Sequence, residues 1–310
     1  MADPRVSIIT SSYRAERYLK DFLDSVPRQT AIDRLELVLV HNEPSSLEME
    51  WVEAFQVQHP GILRHLVVEP VESLSASWNR GIRAARGGYV CLWNVDDVRT
   101  DDSIEIEMRA LDQHPDVLLV YGNFVMIDTR GATEGVTFDP PSFELEGFLH
   151  SYQCGPFPMW RKSVHERVGM FDEQLRSGAD YDMICRMALA GPLMTVGKLL
   201  GFFLNVGEGL STSSDLIHVE DDVIKLRYGV YDEVDTRYLR RALGYRVRHI
   251  LQNGVWREVA RYVPHRDRST RRPGRRIVLG LRRNFVRKFP RFAALVVRVK
   301  RSLRPGTNKV

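Results

Sequence analysis

Acidic side chains follow a short apolar segment of the sequence. Tyr89–Trp93 is apolar throughout, and the acids after it are Asp96, Asp97, Asp101 and Asp102. Carboxylates at the end of a buried strand can hold a divalent cation, because Mg²⁺ and Mn²⁺ prefer hard oxygen ligands. They can also simply end the strand and solvate the loop that follows it. The elements around these acids decide between the two interpretations.

The elements before these acids predict a sheet with the acids at its edge. Strand-like and helix-like segments alternate in the N-terminal third of the chain, which is typical of a doubly wound α/β sheet. The strands are predicted at Arg5–Thr10, Leu35–Glu43, Ile62–Glu69 and Tyr89–Val95. Ligands of such sheets bind beyond the carboxyl ends of the strands. The tips Ser11–Arg14, His41–Glu43 and Asn94–Asp97 are therefore expected to surround a ligand.

The later sequence is less regular. Its predicted elements are a helix at Ser103–Gln113, a strand at Val117–Ile127 that bends into a hairpin, a helix that ends at Gly191, and strands within Leu193–Val206. From about Leu216 the pattern is helical and increasingly rich in Arg. These changes predict two parts, a domain at 1–215 and a helical, basic extension at 216–310.

The composition is that of a soluble globular protein, with 44% hydrophobic and 27% charged residues. Cys91, Cys154 and Cys185 each lie in an apolar context and match no metal-binding or redox spacing. They are expected to be reduced core thiols in a reducing compartment. The sequence shows neither a signal peptide nor a membrane-spanning run, so we expect a cytoplasmic protein.

The charge is distributed unevenly along the chain. From Arg237 to Val310 there are 23 Lys and Arg but two acids, whereas the remaining chain has 21 basic and 38 acidic residues. Apolar residues fall near one helical face within this tail, which favours contact of 237–304 with an anionic membrane surface. Clustered Arg also binds nucleic-acid phosphates, but no nucleic-acid-binding motif is present. Docking onto the protein's own acidic part is a third alternative. The favoured prediction is a peripheral location on the inner face of the membrane.

Four segments, in order, resemble the inverting family 2 glycosyltransferases of the GT-A fold. They are "VSIITSSYRAERYLKDFLDSVPRQT", "LELVLVHNEPSS", "SWNRGIRAARGGYVCLWNVDD", and "VGMFDE" with "GADYDMICRMALAG". The resemblance covers about two thirds of the chain, from Arg5 to Ser214. It implies an α/β, GT-A-like, mostly parallel doubly wound sheet with helices on both faces. It also implies metal-assisted transfer of a sugar from a nucleotide-sugar donor to a glycan or lipid-linked acceptor, in the synthesis of cell-surface polysaccharide or glycolipid.

The resemblance also implies roles for particular residues. Asp97 would be the principal ligand of Mn²⁺ or Mg²⁺, and Asp96 would bind the ribose or assist the metal. Asp180 would be the base that deprotonates the acceptor hydroxyl. The remaining residues of the implied donor site are Ser11, Tyr13, Asn42 and Asn79. Gly81 is expected to permit close helix–sheet packing rather than to touch the ligand.

The chain departs from the family's pattern at three places. Asn94 stands where the acidic motif usually begins with Asp, His41 and Asn42 replace the paired acids that read the base, and Ala179 replaces the acid before Asp180. The donor base is consequently left open. Two alternatives also remain: a nucleotidyltransferase, and a non-catalytic domain that binds a nucleotide sugar or a glycan. The Gly- and Ser-rich segment 207–215 is expected to close over the donor.

Overall fold

The computed structural model describes residues 4–206, 216–228, 230, 249–252 and 255–258. The strands are β1 (Val6–Tyr13), β2 (Leu35–Asn42), β3 (Leu63–Val68), β4 (Tyr89–Leu92), β5 (Val98–Arg99), β6 (Leu119–Ile127), β7 (Val136–Phe138), β8 (Met159–Arg161), β9 (Leu193–Leu204), β10 (His249–Gln252) and β11 (Val255–Glu258). The helices are α1 (Leu19–Ser25), α2 (Ser46–Gln58), α3 (Leu74–Ala84), α4 (Ser103–Gln113), α5 (Leu145–His150), α6 (Val164–Val168), α7 (Ala179–Ala190) and α8 (Leu216–Arg227). The predicted alternation of strands and helices is confirmed.

One mixed sheet contains the first nine strands. Their order is β3-β2-β1-β4-β8-β6-β9-β5, and β7 pairs with β6 beside this path. The strands β1 to β4 run parallel to their neighbours among themselves, whereas β8 is antiparallel to both β4 and β6. The predicted doubly wound parallel arrangement is therefore confirmed for the first four strands, and the strands beyond them join it in mixed directions. The strands β10 and β11 form a separate antiparallel pair.

Helices cover both faces of the central strands, because successive side chains of a strand point to opposite sides of the sheet. Ile8 of β1 and Cys91 of β4 belong to a core that also contains residues of α1, α2 and α4. Their neighbours Ile9 and Leu92 belong to a second core that includes residues of α3 and α7. Every residue of β2 is buried, as expected for a strand that is covered on both faces. The three cysteines are free and buried, which confirms them as core thiols.

Gly81 lets α3 lie directly on β1. A Cβ atom at this position would be 2.5 Å from Cγ2 of Ile9, closer than side chains approach one another. The helix begins at a regular cap, since the Ser73 hydroxyl accepts the N–H of Ala76 at 3.2 Å. The expectation that Gly81 serves packing is confirmed, and the consequence is a close contact of α3 with the face of β1 and β2.

The helix α8 packs into the same core as α7. Val223, Ile224 and Leu226 are all buried there. The predicted boundary between 1–215 and 216–310 stays a prediction. The predicted donor-closing segment 207–215 lies outside the described residues, as does 237–304 apart from β10 and β11. Within the part of the chain that is described, no helix has both the length and the apolar character needed to cross a bilayer.

Candidate active site

The sheet brings the predicted tips together at one edge. In the parallel register Tyr13 at the end of β1 lies beside Asn42 at the end of β2, and Ile9 lies beside Leu92 of β4. Both longer strands are followed by a non-glycine residue with positive φ, Arg14 at 50° and Glu43 at 44°. Such backbone conformations are unfavourable and cluster at functional sites. The backbone is therefore strained directly after the carboxyl ends of β1 and β2.

The acids after β4 are held in a tight turn. The N–H of Asp97 donates to the carbonyl of Asn94 at 3.2 Å, and the indole N–H of Trp93 donates to the carbonyl of Asp97 at 3.2 Å. The carboxylate of Asp97 accepts the N–H of Leu204 at 3.1 Å and the side-chain amide of Asn94 at 3.2 Å. Asn94 therefore orients Asp97 with a neutral donor. An Asp at position 94 would instead repel the carboxylate of Asp97.

Burial sets the electrostatics of this turn. Asp97 is 1% exposed. Burial, with repulsion by Asp96, raises the pKa of Asp97 to about 8, and burial also raises the pKa of Asp96. A cationic neighbour partly offsets this: Arg130, in the turn after β6, donates from Nη1 to the carbonyl of Val95 at 2.9 Å. Two adjacent carboxylates that resist ionisation form a site whose charge a bound cation would stabilise.

The donor set of this turn fits a divalent cation that shares its coordination shell with a substrate. Among the described residues no group of three or more His, Cys, Asp and Glu side chains converges on one point. Mg²⁺, however, is usually held by one or two carboxylates together with substrate phosphates and water. Asp96 lines the open cavity, whereas Asp97 lies behind it with both carboxylate oxygens hydrogen-bonded. Asp96 is thus the carboxylate that the cavity offers directly.

A cavity of about 610 Å³ connects this turn with the start of α7. Ser11, Asp96 and Asp180 all line it, so three of the predicted site residues share one space. Its remaining wall is largely aromatic and apolar, from β6, β7, β9 and the loop before β8: Phe124, Met126, Phe138, Tyr152 and Phe203. The sequence analysis missed this wall, because no local pattern distinguishes these residues from ordinary core residues.

Asp180 is the second residue of α7. Its Oδ1 accepts the N–H of Tyr181 at 2.8 Å. Burial raises the pKa of Asp180 to about 6, opposed by hydrogen bonds from backbone N–H groups and reinforced by the negative charges of Asp221 and Glu220. A carboxyl group with this pKa is largely ionised at neutral pH and still binds a proton readily. These are the properties of a general base.

Asp182, two residues along the same helix, has a different environment. Its carboxylate accepts hydrogen bonds from Arg227, from Tyr228 at 2.8 Å and from Arg186 at 2.8 Å. Burial alone would raise the pKa of Asp182, but the charges of Arg227 and Arg186 hold it below the ordinary value. Asp182 thus joins α7 to α8.

The other predicted donor residues make contacts within the protein. Asn42 donates to the Ser77 hydroxyl at 3.0 Å and accepts the N–H of Glu72 at 3.0 Å. Tyr13 is 41% exposed at the strand tip. Asn79 is buried and forms hydrogen bonds with the N–H and the carbonyl of Phe171, both at 2.9 Å. The amide of Asn79 therefore ties α3 to the loop that leads to α7.

Near the end of β2, the buried His41 lies beside the partly buried His65 of β3. Nδ1 of His41 is 3.2 Å from Nε2 of His65, and Nε2 of His41 is 3.4 Å from Oε2 of Glu48. Burial lowers the pKa of His41 although Glu48 opposes the shift. Since His41 is 0% exposed, it supports the position of α2 behind the tip and does not line the cavity.

Solved structures share this fold at low sequence identity. One is residues 1–349 of TarS from S. aureus in complex with UDP-GlcNAc, 18% identical, with a TM-score of 0.58 over 79% of this chain and 72% of that one. Another is the mannosyltransferase PcManGT from Pyrobaculum calidifontis in complex with GDP-Man and Mn²⁺, 16% identical, with a TM-score of 0.56 over 79% of this chain and 70% of that one.

Sequence comparison gives the family. An uncharacterized glycosyltransferase of Methanocaldococcus jannaschii is 23% identical over 192 residues, which is 60% of this chain and 65% of that protein. An uncharacterized protein of Mycobacterium tuberculosis H37Rv is 22% identical over 208 residues, 66% of this chain and 60% of that protein. The chain thus spans less than two thirds of these curated relatives. The model of glycosyl transferase family 2 matches residues 7–169, more than half of the chain. The chain therefore belongs to glycosyl transferase family 2.

Proposed function

We propose that the protein is an inverting glycosyltransferase that moves a sugar from a nucleotide-diphosphate sugar to an acceptor hydroxyl. The observation that carries the proposal is the shared cavity, which Asp96 lines beside the strand tips and Asp180 lines at the start of α7. One carboxylate can thus act at the donor diphosphate while another acts at the acceptor. Membership of the family supports this assignment.

The donor occupies the part of the cavity next to the strand tips. The residues proposed to bind the nucleotide and sugar are Ser11 and Asp96, which line the cavity, and Tyr13, Asn42 and Asn79, which lie outside its lining. The two similar solved proteins were studied with UDP-GlcNAc and with GDP-Man and Mn²⁺, which supports a nucleoside diphosphate sugar as the class of donor. In an α/β sheet a nucleotide usually binds beyond the carboxyl ends of the strands.

Asp96 and Asp97 are the residues proposed to hold Mn²⁺ or Mg²⁺. When bound, the cation would neutralise the charge that develops on the departing diphosphate. The chain's own contribution is a pair of carboxylates whose ionisation burial disfavours, so a bound cation would relieve a repulsion already present. Arg130 adds a positive charge beside the same turn.

Asp180 is the proposed general base. It accepts the proton of the acceptor hydroxyl as the oxygen forms its bond to the anomeric carbon and the bond to the diphosphate breaks on the opposite side. This single displacement inverts the anomeric centre. With its pKa raised to about 6, Asp180 is ionised at neutral pH and basic enough to take the proton.

The acceptor is proposed to be a glycan or a lipid-linked glycan, in the synthesis of cell-surface polysaccharide or glycolipid. The basic region 237–304 supports a peripheral membrane location, since 23 Lys and Arg fall between Arg237 and Val310 and such clusters bind anionic lipid. Co-sedimentation with vesicles of increasing anionic lipid content, repeated at high salt, tests this part. Binding that responds to neither variable contradicts it.

The first experiment measures thermal stability with UDP, GDP, dTDP and CMP, each with and without Mn²⁺. A ligand that binds only the native state adds about 2.7 kcal/mol to stability at a hundredfold excess over Kd. We expect one nucleotide to raise the melting temperature in a metal-dependent manner. Asp97→Ala should abolish this rise, and Asp101→Ala, which removes an exposed acid from the same segment, should retain it. If no nucleotide shifts the wild type, the binding of a glycan without catalysis becomes the better interpretation.

A further inference from the structure

Glu220 of α8 holds the loop in front of α7. Its carboxylate accepts three consecutive backbone N–H groups, those of Arg176 at 2.9 Å, Ser177 at 2.8 Å and Gly178 at 2.9 Å. The hydroxyl of Ser177 lies 3.3 Å from the same carboxylate. Glu220 is 0% exposed. A buried carboxylate that accepts several N–H groups is a strong and well-defined contact, because charged hydrogen bonds are stronger than neutral ones.

These N–H groups belong to the segment that fixes the beginning of α7. Gly178 is the residue at the N-cap position of the helix and has no side chain that could cap it. Glu220 therefore binds, from another helix, the N–H groups of the N-cap residue and of the two residues before it. Its negative charge near the N-terminus of α7 also interacts favourably with the helix dipole. The position of the loop that leads into α7 thus depends on α8.

The contact leaves little freedom between the two helices. A Cβ atom on Gly178 would be 2.7 Å from Cδ1 of Ile224 and 3.3 Å from Cβ of Glu220. The loop and α8 are therefore in close contact, and a side chain at position 178 would displace that of Ile224. Since Asp180 is two residues further along, a displacement of this loop would move its carboxylate within the cavity.

Charge links Glu220 to Asp180 as well. The negative charges of Glu220 and Asp221 add to the effect of burial on the pKa of Asp180. Among the described residues, Tyr152 and Cys154 also interact with this carboxyl by charge, and Arg176 lines the same cavity. Burial, with the charge of Asp180, raises the pKa of Tyr152 and Cys154 well above their ordinary values, so both are neutral at physiological pH.

We propose that Glu220 is the positioning residue of the catalytic base: it fixes the loop before α7 and thereby the place of Asp180 in the cavity. This rests on the proposed function, in which Asp180 takes the proton of the acceptor. Glu220 itself does not line the cavity and so acts through Asp180. The sequence gives no sign of this role, because Glu220 lies 40 or more residues from its partners along the chain.

Two variants separate the charge of Glu220 from its hydrogen bonds. Glu220→Gln keeps an acceptor oxygen and removes the charge, whereas Glu220→Ala removes both. Asp222→Asn is the matched control, because it removes one charge from the same helix at a residue outside the cavity lining. The assay is hydrolysis of UDP-GlcNAc and GDP-Man with Mn²⁺, measured as kcat/KM between about pH 5 and pH 8, with water as the acceptor.

With the negative charge removed, the pKa of Asp180 falls and the base stays ionised at lower pH. Glu220→Gln should therefore move the acid limb of kcat/KM to lower pH, while Asp222→Asn leaves it in place. Glu220→Ala should lower kcat by about 10²-fold, as expected when a reacting group is displaced, and keep the thermal shift with nucleotide. A Glu220→Gln profile that coincides with the wild type overturns the electrostatic role.

Amide hydrogen exchange tests the positioning role without any turnover. The N–H groups of Arg176, Ser177 and Gly178 should exchange faster in Glu220→Ala than in Asp222→Asn, since they lose their acceptor. Equal exchange in the two variants overturns the positioning role. If the wild type hydrolyses neither donor and binds no nucleotide, the proposed function fails by itself, and the exchange rates still decide whether Glu220 holds the loop.

Discussion

Asp180→Asn is the substitution that tests the active site most directly. The pKa of Asp180 rises from the ordinary 3.8 to about 6, mainly because the carboxyl is buried. Its Oδ1 accepts the N–H of Tyr181 at 2.8 Å, and the amide oxygen of Asn can accept the same hydrogen bond. The substitution therefore changes the charge and little else.

The expected gain in stability follows from the pKa of Asp180. A rise from 3.8 to about 6 is a shift of roughly two units, and at about 1.4 kcal/mol per unit this equals about 3 kcal/mol. Because the folded protein binds the proton more tightly than the unfolded chain, its stability falls as the pH rises between these two values. Above about pH 6 the full cost of the buried charge is present, and below about pH 4 it is absent.

Urea denaturation at about pH 4 and pH 8 measures this difference. Asp180→Asn should be more stable than the wild type by up to about 3 kcal/mol at pH 8 and nearly equal to it at pH 4. Its turnover should fall by roughly 10²–10⁴-fold, as for the loss of a general base. Asp182→Asn is the control, because its effect on stability should have the opposite sign. Since the pKa of Asp182 is held low by Arg227 and Arg186 against the effect of burial, its carboxylate is ionised in the folded protein at both pH values, and this variant should lose stability at both.

Two results would refute this reasoning. A stability difference between Asp180→Asn and the wild type that is the same at both pH values would mean that the carboxyl is well solvated. Unchanged turnover in a variant that still binds nucleotide would mean that Asp180 is not the base. The two results are independent, so the electrostatics and the chemistry are tested separately.

Two further predictions concern the packing that supports the site. Gly81→Ala should lower the free energy of unfolding by about 1–3 kcal/mol in urea denaturation, because its Cβ would be 2.5 Å from Ile9. A more stable variant, as expected for Ala in an open helix, would contradict the close approach of α3. Arg99→Met removes the partner of Glu107, whose carboxylate lies 2.6 Å away with both side chains 0% exposed. Burial already raises the pKa of Glu107 to about 7 despite this partner, so the loss should be roughly 3–5 kcal/mol at pH 8 and smaller at pH 5, where Glu107 is protonated. An equal loss at both pH values would contradict the buried charge.

The sequence by itself determined the helices and strands, and the edge of the sheet at which the acids lie. Strand and helix periods are local properties, so α4 was predicted with its observed bounds and the end of α7 within one residue. The carboxyl ends of parallel strands meet whatever the details of packing, which explains why Ser11 and Asp96 were predicted at one edge. The resemblance to a family added Asp180, which lies far from that edge along the chain.

Only the tertiary structure decided which of these side chains share a space and what charge each one carries. Asp96 lines the cavity and Asp97 is enclosed behind it, although the two are adjacent and chemically identical. Asp180 and Asp182 lie two residues apart on one helix, yet burial raises the pKa of one and nearby arginines lower that of the other. Glu220 reaches its loop across more than 40 residues of chain. Burial and long-range contacts set these properties, and neither has a period that can be read along a sequence.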